Sequence, residues 1–383
     1  MKLDSSAPLI DAINYASTVE FIWGDQRREH FHAIWLRDHC QCTTCRNPNN
    51  GQRLFDITQI PENVQIEEAF VDANGHAQLR FSDNAHQSTF NHEQLRSYLE
   101  QVADQSHDRC EQHKTLWDSQ NIEQFETRFD WEKYNTDQTT KRQALDCFSQ
   151  LGYFVLFGTP AKDRQVLGII ESFGFVRETN YGKLFDVKAV VNPNNLAFTN
   201  IGLGAHADNP YRDPVPSIQA LHCIENSVDG GESLLLDGYK AADTLRRENP
   251  EHFDTLTQTP LYFRFSDHSA DLQARVPLIS IDEHGRVTCV RYNNRSIDTL
   301  TLAQDHIPAF YAAYRHFAEI LARPELSTQF KLAAGDCVVF DNTRVMHART
   351  AFSTGGQRHL QGAYSDLDGL YSTLAILNRE RTT

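Results

Sequence analysis

Alternating apolar and polar residues characterise the N-terminal part of the chain. Residues 19–23 (VEFIW) and 31–36 (FHAIWL) each predict a strand, because side chains two positions apart share one face of a strand. A second pair of runs, residues 64–66 and 77–81, flanks Asn74-Gly75, which is typical of a tight hairpin turn. We therefore predict a small β-rich module in this part of the chain.

A different period, close to 3.6 residues, appears further along the chain. Apolar side chains in residues 144–151 follow it, and Gly152 ends the predicted helix before a strand at residues 153–157. Further helices are predicted near residues 165–172 and over residues 307–321, where an apolar stripe follows one face. To the last of these helices we assign no chemistry.

Short apolar runs bounded by turn residues fill much of the second half. Residues 218–223 and 232–237 predict two strands joined through Asp229-Gly230-Gly231, and residues 335–342 predict a buried strand between two turns. Such runs are typical of buried strands, and the fold class we expect, mainly β with flanking helices, is the one implied by the family resemblance described below.

Length and charge narrow the possible functions. The chain of 383 residues is long enough for a large core and a smaller accessory domain. Its formal net charge of −15 repels phosphate backbones, so nucleic acid is not an expected partner. No apolar run approaches the length of a membrane span, and the first residues resemble neither a secretory signal nor a transit peptide. We expect a cytoplasmic protein without a membrane partner.

The strongest chemical signal is a set of metal-ligand residues in two distant segments. His206 and Asp208 lie two residues apart, so they share one face if they end a strand. Alone, this motif is more often a surface loop with a capping Asp. His347, soon after the predicted strand at residues 335–342, completes a set of two His and one carboxylate, which suits non-haem Fe(II).

Arginines accompany the second histidine. Arg358 follows His347 by eleven residues and can lie on the next strand, facing the same cavity, where its planar guanidinium would bind a carboxylate through two hydrogen bonds. Arg344 and Arg349 flank His347 more closely. Either could bind a second carboxylate or form an ion pair at the rim of a barrel, and the sequence leaves that open.

Three of the eight cysteines form a CxCxxC cluster, Cys40, Cys42 and Cys45. In a reducing compartment such a cluster favours a metal site over disulfides, and a closed structural zinc site needs a fourth ligand. His86 and His92 are the main candidates, with His39 and His32 less suitable because they adjoin the cluster. The alternative is three reduced cysteines without metal. The scattered cysteines are expected to be small buried hydrophobic residues: Cys110, Cys147, Cys223, Cys289 and Cys337.

Taken together, the HxD…H…R pattern resembles that of the Fe(II)/2-oxoglutarate-dependent oxygenases. The sequences of residues 194–199 and 359–366 are similar to segments of the gamma-butyrobetaine hydroxylase family, which includes trimethyllysine dioxygenase. Residues 35–40 and 86–90 resemble the zinc-binding N-terminal domain of the same family, which on this resemblance makes His86 the fourth zinc ligand.

The resemblance implies a domain organisation. A zinc-binding N-terminal domain is expected over residues 1–100, a connector over residues 101–137, and a double-stranded β-helix (jelly-roll) oxygenase domain over residues 138–383. It also implies roles for individual residues. Those roles are Fe(II) binding by His206, Asp208 and His347; 2-oxoglutarate binding by Arg358, Asn195 and Leu221; and substrate binding by Tyr181, Phe185, Phe198, Tyr364 and Asn294, with Asn293 as the alternative to Asn294.

A quaternary ammonium group has no hydrogen-bond donor, so a protein binds it with aromatic faces. Without the resemblance, these aromatic residues would more simply be core of a β-barrel. The aromatic residues implied by the resemblance would form such a cage around the quaternary ammonium group. At the positions of Phe185 and Phe198 the family is expected to carry Trp or Tyr, and phenylalanine there weakens the predicted cage.

The implied activity is hydroxylation of gamma-butyrobetaine, a small cationic substrate, to L-carnitine, with release of succinate and carbon dioxide. Ascorbate is the implied reductant and a homodimer the implied assembly. Trimethyllysine dioxygenase, which differs at the far end of the pocket, is the alternative within the family. A non-catalytic jelly-roll binding protein is a further alternative, although the intact HxD…H…R set argues against it.

Overall fold

The computed structural model describes residues 7–103, 114–188, 200–353 and 355–380. The chain separates into two compact units, residues 1–111 and residues 112–383. Within the described residues, every helix is too short or too polar to cross a membrane.

In the first unit, residues 7–103 form two three-stranded antiparallel sheets and two α-helices. The strands are β1 (Leu9–Asn14), β2 (Thr18–Trp23), β3 (Arg28–His32), β4 (Ile66–Val71), β5 (Ala77–Phe81) and β6 (Gln87–Phe90), and the helices are α1 (Ala33–Asp38) and α2 (His92–Ala103). Alternate residues of the strands pack into one core, in which Phe21, Trp23 and Phe81 are fully buried. The prediction of a small β-rich module is confirmed.

One predicted strand of this unit is wrong. The run at residues 31–36 leaves β3 at His32 and continues as helix α1. Ala33, Leu36 and Arg37 are the buried residues of the helix, a spacing of three and four, and Trp35 stacks on His39 four residues later at 4.1 Å. The alternation of apolar and polar residues over residues 31–36 is too short to distinguish a strand from a helix. Packing along one helical face therefore decides the structure of residues 33–38.

The second unit is built around two sheets. The larger has the strand order β7-β8-β18-β11-β20-β9, and the smaller has the order β10-β19-β12-β17. Their strands are β7 (Arg128–Asp130), β8 (Tyr153–Phe157), β9 (Phe185–Lys188), β10 (Leu203–His206), β11 (Ile218–Asn226), β12 (Ser233–Asp237), β17 (Ser327–Phe330), β18 (Cys337–Asp341), β19 (Val345–Arg349) and β20 (Arg358–Ser365). This arrangement is the predicted double-stranded β-helix.

Helices and two hairpins surround these sheets. The hairpins are β13 (Pro260–Ser266) with β14 (Asp271–Pro277), and β15 (Ile279–Ile281) with β16 (Val287–Val290). The helices are α3 (Trp131–Thr136), α4 (Gln138–Leu151), α5 (Gln165–Glu171), α6 (Gly238–Glu248), α7 (Pro250–Gln258), α8 (Ile307–Leu321) and α9 (Leu367–Arg379). The apolar faces of α4, α5 and α9 share one core with the larger sheet, whereas α6, α7 and α8 share another with the smaller sheet.

Helix α4 shows how local sequence fixes these elements. The side chain of Asp137 accepts hydrogen bonds from the backbone N–H groups of Thr139 and Thr140, which caps the start of the helix. Gly152 ends it in the left-handed conformation, with φ of 83°. A Cβ at this position would lie 2.9 Å from a methyl group of Val345, so glycine also allows the close approach of the helix end to β19.

Candidate active site

A cavity of about 400 Å³ opens between the two sheets of the second unit. The smaller sheet contributes His206 and His347 to its wall, and the larger sheet contributes Leu221, Arg358 and Tyr364. The structure therefore brings residues from four strands, far apart in sequence, into one space. Leu221, to which the family resemblance assigns contact with 2-oxoglutarate, is part of the cavity lining.

Strand register places the three predicted metal ligands side by side. His206 in β10 is the direct partner of His347 in β19, and Asp208 follows two residues after His206. One ligand atom from each of these residues lies within 4.8 Å of the others. The Nε2 atoms of His206 and His347 are 3.5 Å and 3.9 Å from the two carboxylate oxygens of Asp208. These two imidazoles and one carboxylate converge on one point of the cavity wall. Such a set matches the facial triad that holds Fe(II).

Hydrogen bonds fix the orientation of these side chains. The Nδ1–H of His206 donates to the Gly204 carbonyl at 2.9 Å, so Nε2 carries the free lone pair that a metal requires. One oxygen of Asp208 accepts hydrogen bonds from Gln219 at 2.9 Å and from the Tyr364 hydroxyl at 3.3 Å. The other oxygen is left for the metal.

Asn342 holds the backbone of the carboxylate ligand. Its side-chain oxygen accepts the N–H of Asp208 at 2.8 Å, and its side-chain nitrogen donates to the carbonyls of Asp208 and Pro216, both at 2.9 Å. Asn342 is fully buried in the turn between β18 and β19. It couples the turn before His347 to the segment that carries Asp208, a role that nothing in the sequence predicted beyond its place in a turn.

Burial adjusts the protonation of the ligands toward metal binding. Burial and the neighbouring His347 lower the pKa of His206 to about 3, and burial also lowers the pKa of His347. Burial alone would raise the pKa of Asp208, but the two histidines hold it below its ordinary value. At neutral pH the site thus presents two neutral imidazoles and a carboxylate, which are the forms that bind a metal.

Part of the cavity wall is cationic, since Arg349 and Arg358 both line it. Arg358 is buried at the start of β20, and its Nε has no hydrogen-bond partner among the described residues. Burial lowers the pKa of Arg358, and burial together with the charge of Arg358 lowers that of Arg349 to about 10. Phe352 lies against both guanidiniums, at 5.7 Å and 4.9 Å from its ring centre. A buried guanidinium is stabilised by a carboxylate. This part of the cavity therefore suits a ligand that carries one.

Aromatic side chains close the remaining side of the cavity. Phe185 stacks on Tyr364 at 5.1 Å, and Tyr181 lies 6.2 Å from Phe185. Two further rings, which the sequence analysis missed, join them: Tyr211 and Phe265 stack at 5.2 Å, and the hydroxyls of Tyr181 and Tyr211 are 3.1 Å apart. Tyr211 lies only three residues after Asp208, so its place at the cavity could have been predicted from the sequence. Phe265 comes from hairpin β13–β14, and no feature of the sequence predicted its place there. We call these five rings the aromatic box.

Other predicted contacts fall in different places. Asn293 is buried at the cavity wall, because its side chain turns inward to donate to the Ala207 carbonyl at 2.9 Å. Asn294, the residue chosen from the sequence, is exposed and outside the cavity lining. Asn195 and Phe198 lie outside the described residues.

The cysteine cluster of the first unit forms a second candidate metal centre. The sulfur atoms of Cys40, Cys45 and Cys42 lie 3.3, 3.5 and 3.8 Å from Nε2 of His86. A tetrahedral zinc ion with ordinary Zn–S and Zn–N bond lengths would separate sulfur and nitrogen by about 3.6 Å. His86 therefore completes the Cys₃His set and His92 does not.

A facial triad within a double-stranded β-helix, beside a buried arginine, defines an Fe(II)/2-oxoglutarate-dependent dioxygenase. Comparison with protein families agrees with this class. The chain belongs to the TauD, TfdA family of dioxygenases, whose model, described as taurine catabolism dioxygenase, matches residues 74–364. Residues 12–96 match the model of the gamma-butyrobetaine hydroxylase-like N-terminal domain. The predicted family and dependence on Fe(II) and 2-oxoglutarate are confirmed, and the Cys₃His cluster supplies the zinc ligands.

Similar proteins extend over nearly the whole chain. A gamma-butyrobetaine dioxygenase of Pseudomonas sp. strain AK-1 is 31% identical over 377 residues, which cover 97% of each chain. The gamma-butyrobetaine dioxygenase of Homo sapiens is 29% identical, with 96% of each chain covered. A mitochondrial trimethyllysine dioxygenase of Gallus gallus is 28% identical over 91% of this chain and 83% of that protein.

Proposed function

We propose that the protein hydroxylates gamma-butyrobetaine to L-carnitine and converts 2-oxoglutarate to succinate and carbon dioxide. The observation that carries this proposal is the aromatic box next to the triad, because aromatic faces are the means by which a protein binds a trimethylammonium group. Relatives named for the same activity cover nearly the full length of the chain, which supports the choice of substrate.

Each part of the cavity has a task in this reaction. His206, Asp208 and His347 would hold Fe(II), and Arg358 would bind the distal carboxylate of 2-oxoglutarate. When bound, iron and 2-oxoglutarate would activate dioxygen, the oxidant of the reaction, of which one oxygen atom goes to succinate and the other to an unactivated carbon of the substrate. The protein's contribution is to exclude water and fix one C–H bond of the substrate toward the metal, since the aromatic box holds the cationic end in place. Asn195, Phe198 and Asn294 stay predictions for substrate and cosubstrate contacts.

Turnover of 2-oxoglutarate by Fe(II)-loaded protein tests the proposal. Gamma-butyrobetaine, trimethyllysine and no substrate are compared, and succinate and the mass of the organic product are measured. We expect succinate formation coupled to a gain of one oxygen atom on gamma-butyrobetaine. A preference for trimethyllysine would assign the chain to the other activity found among its relatives. Tight binding without turnover would instead support the non-catalytic alternative.

The packing of Phe185 gives a prediction for the aromatic box. A Cβ on Gly362 would lie 2.2 Å from the tip of the Phe185 ring, so Gly362→Ala forces that ring away from Tyr364. A cation–π contact contributes about 1 kcal/mol, so we expect KM for gamma-butyrobetaine to rise roughly fivefold. The KM for 2-oxoglutarate should stay the same. An equal rise of both constants would indicate general distortion of β20 instead.

Arg358 gives a prediction for the cosubstrate. Arg358→Gln removes the buried guanidinium but keeps hydrogen-bonding capacity, and we expect KM for 2-oxoglutarate to rise on the order of 100-fold because a charge-assisted pair is lost. Steady-state kinetics with varied 2-oxoglutarate measures this. An unchanged KM would mean that another residue binds the distal carboxylate.

Finer features complete the proposal. We propose a cytoplasmic homodimer that uses ascorbate as its reductant, with the functional domains dividing at residues 1–100, 101–137 and 138–383. Light scattering of the purified chain tests the dimer, and omission of ascorbate during repeated turnover tests the reductant. A monomer, or full activity without any reductant, would contradict the corresponding part.

A further inference from the structure

The charges that line the cavity do not suit a purely cationic substrate. Four arginines face it, Arg264, Arg295, Arg349 and Arg358, whereas Asp208 is the one carboxylate in the described lining. Arg264 is neutralised, because it donates two hydrogen bonds to Asp271 at 3.1 and 2.9 Å. Arg349 and Arg358 lie together at the end where the cosubstrate's distal carboxylate is proposed to bind. Arg295 is left without a task in the proposed reaction.

The position of Arg295 is fixed relative to the metal ligands. It follows β16, in a segment tied to Ala207, the residue between His206 and Asp208. The Ala207 N–H donates to the Tyr292 carbonyl at 2.9 Å, and the Asn293 side chain donates to the Ala207 carbonyl at 2.9 Å. The backbone N–H of Arg295 in turn donates to the Asn293 side-chain oxygen at 3.2 Å.

The guanidinium of Arg295 acts on the triad electrostatically but forms no ion pair with any residue that the structure describes. Arg295 lines the same cavity as His206, Asp208 and His347, and its charge contributes to lowering the pKa of both histidines. Arg295 is exposed as a whole residue, but the part of it that lines the cavity is partly buried, which lowers its pKa, and Asp208 opposes that effect. An unneutralised cation beside the reacting centre would repel a second cation and attract an anion.

Asn209 provides a neutral polar group at the same place. It follows Asp208 directly, with φ of 55°, and is almost fully buried at the cavity wall. Neither of its side-chain polar atoms makes a hydrogen bond of good geometry with a described residue, and its interaction with the Tyr364 hydroxyl only lowers the pKa of that group against the larger effect of burial. A buried amide left unpaired is destabilising, so this side chain fits a polar ligand group in the cavity.

We propose that Arg295, assisted by Asn209, binds the substrate carboxylate and determines specificity for zwitterions whose cationic end occupies the aromatic box. This inference rests on the proposed function and adds the residue that recognises the anionic end. A substrate held at both ends in this way has its intervening carbons fixed over the metal. A quaternary ammonium compound without a carboxylate would gain the aromatic contacts but meet the repulsion of Arg295.

Calorimetric titration under nitrogen tests the proposal without turnover. The full chain, loaded with Fe(II) and 2-oxoglutarate, is titrated with gamma-butyrobetaine and with butyltrimethylammonium, which lacks the carboxylate. For the unmodified protein we expect gamma-butyrobetaine to bind about 10- to 100-fold more tightly, as a charge-assisted contact predicts. In Arg295→Gln this preference should fall to less than about threefold, and in Arg295→Lys it should be partly kept.

Arg264→Gln is the matched control, because it removes a guanidinium from the same cavity wall that Asp271 already neutralises. It should keep the preference of the unmodified protein. The affinity of each variant for 2-oxoglutarate, measured in the same way, reports whether the fold and the iron site are intact.

The outcomes separate the two proposals. If the unmodified protein binds both compounds equally, the aromatic box and the proposed function stand, but the role of Arg295 is overturned. If Arg295→Gln keeps the full preference, the role of Arg295 is likewise overturned. If the unmodified protein binds neither compound, the proposed function itself fails, and this inference fails with it.

Discussion

Asp208→Ala is expected to abolish 2-oxoglutarate turnover, because it removes the only carboxylate among the three described ligands. Loss of a hydrogen-bond partner of a metal ligand typically weakens metal binding by about 10- to 100-fold. Loss of the ligand itself should therefore weaken Fe(II) binding by more than about 100-fold. The two imidazoles that remain provide neither the charge nor the third coordination position of a facial triad.

The hydrogen bond from Gln219 to Asp208 provides a graded comparison. Gln219→Ala leaves the ligand in place but removes the 2.9 Å hydrogen bond that orients it, so we expect only the smaller loss of about 10- to 100-fold. Anaerobic titration with Fe(II) in the presence of 2-oxoglutarate, followed by the charge-transfer absorbance of the complex, measures both variants. Equal losses for the two variants, or iron binding by Asp208→Ala at the original affinity, would refute the assignment.

The sequence predicted this triad because its signal is local. His206 ends strand β10 and Asp208 follows it by two residues, while His347 lies in β19, directly after the strongly apolar strand β18 and its turn. What the sequence did not predict are the groups that hold the triad: Asn342 and Gln219 make their contacts with Asp208 only through the strand pairing of the fold. Long-range pairing of that kind has no signature in the spacing of residues along the chain.

The aromatic box was likewise predicted only in part from the sequence. Tyr181, Phe185 and Tyr364 were predicted from a family resemblance, and the structure places all three at the cavity. Phe265 reaches the cavity from a hairpin whose position relative to the barrel no local pattern specifies. The sequence could not distinguish Asn293 from its neighbour Asn294, because the direction of each side chain is not visible in two adjacent identical residues. In the structure Asn293 lies in the cavity lining and donates to the Ala207 carbonyl, whereas Asn294 is exposed.

Removal of zinc is expected to unfold the first unit. Cys45 is buried in the cluster, where its sulfur accepts a hydrogen bond from Arg37 at 3.3 Å, and Arg37 is bound to Asp83 at 2.6 Å. Zinc contributes about 10–16 kcal/mol to the folding of zinc-finger peptides, against a total stability of about 5–15 kcal/mol for an ordinary domain. Cys45→Ser should therefore destabilise this unit by more than about 3 kcal/mol, and a strong chelator should do the same.

His86→Ala and His92→Ala form a matched pair for this prediction. Both remove an imidazole from the same unit, but only His86 has its Nε2 within 3.8 Å of all three sulfur atoms. We expect His86→Ala to lose zinc and to unfold at lower temperature, and His92→Ala to retain one zinc per chain. Metal analysis and thermal unfolding measure both effects.

Because zinc binds thiolates, the stabilisation of the first unit by zinc should weaken as the pH falls. The melting temperatures of His86→Ala and the unmodified protein should therefore converge in acid. Zinc retention by His86→Ala, with loss in His92→Ala, would reverse the choice of the fourth ligand.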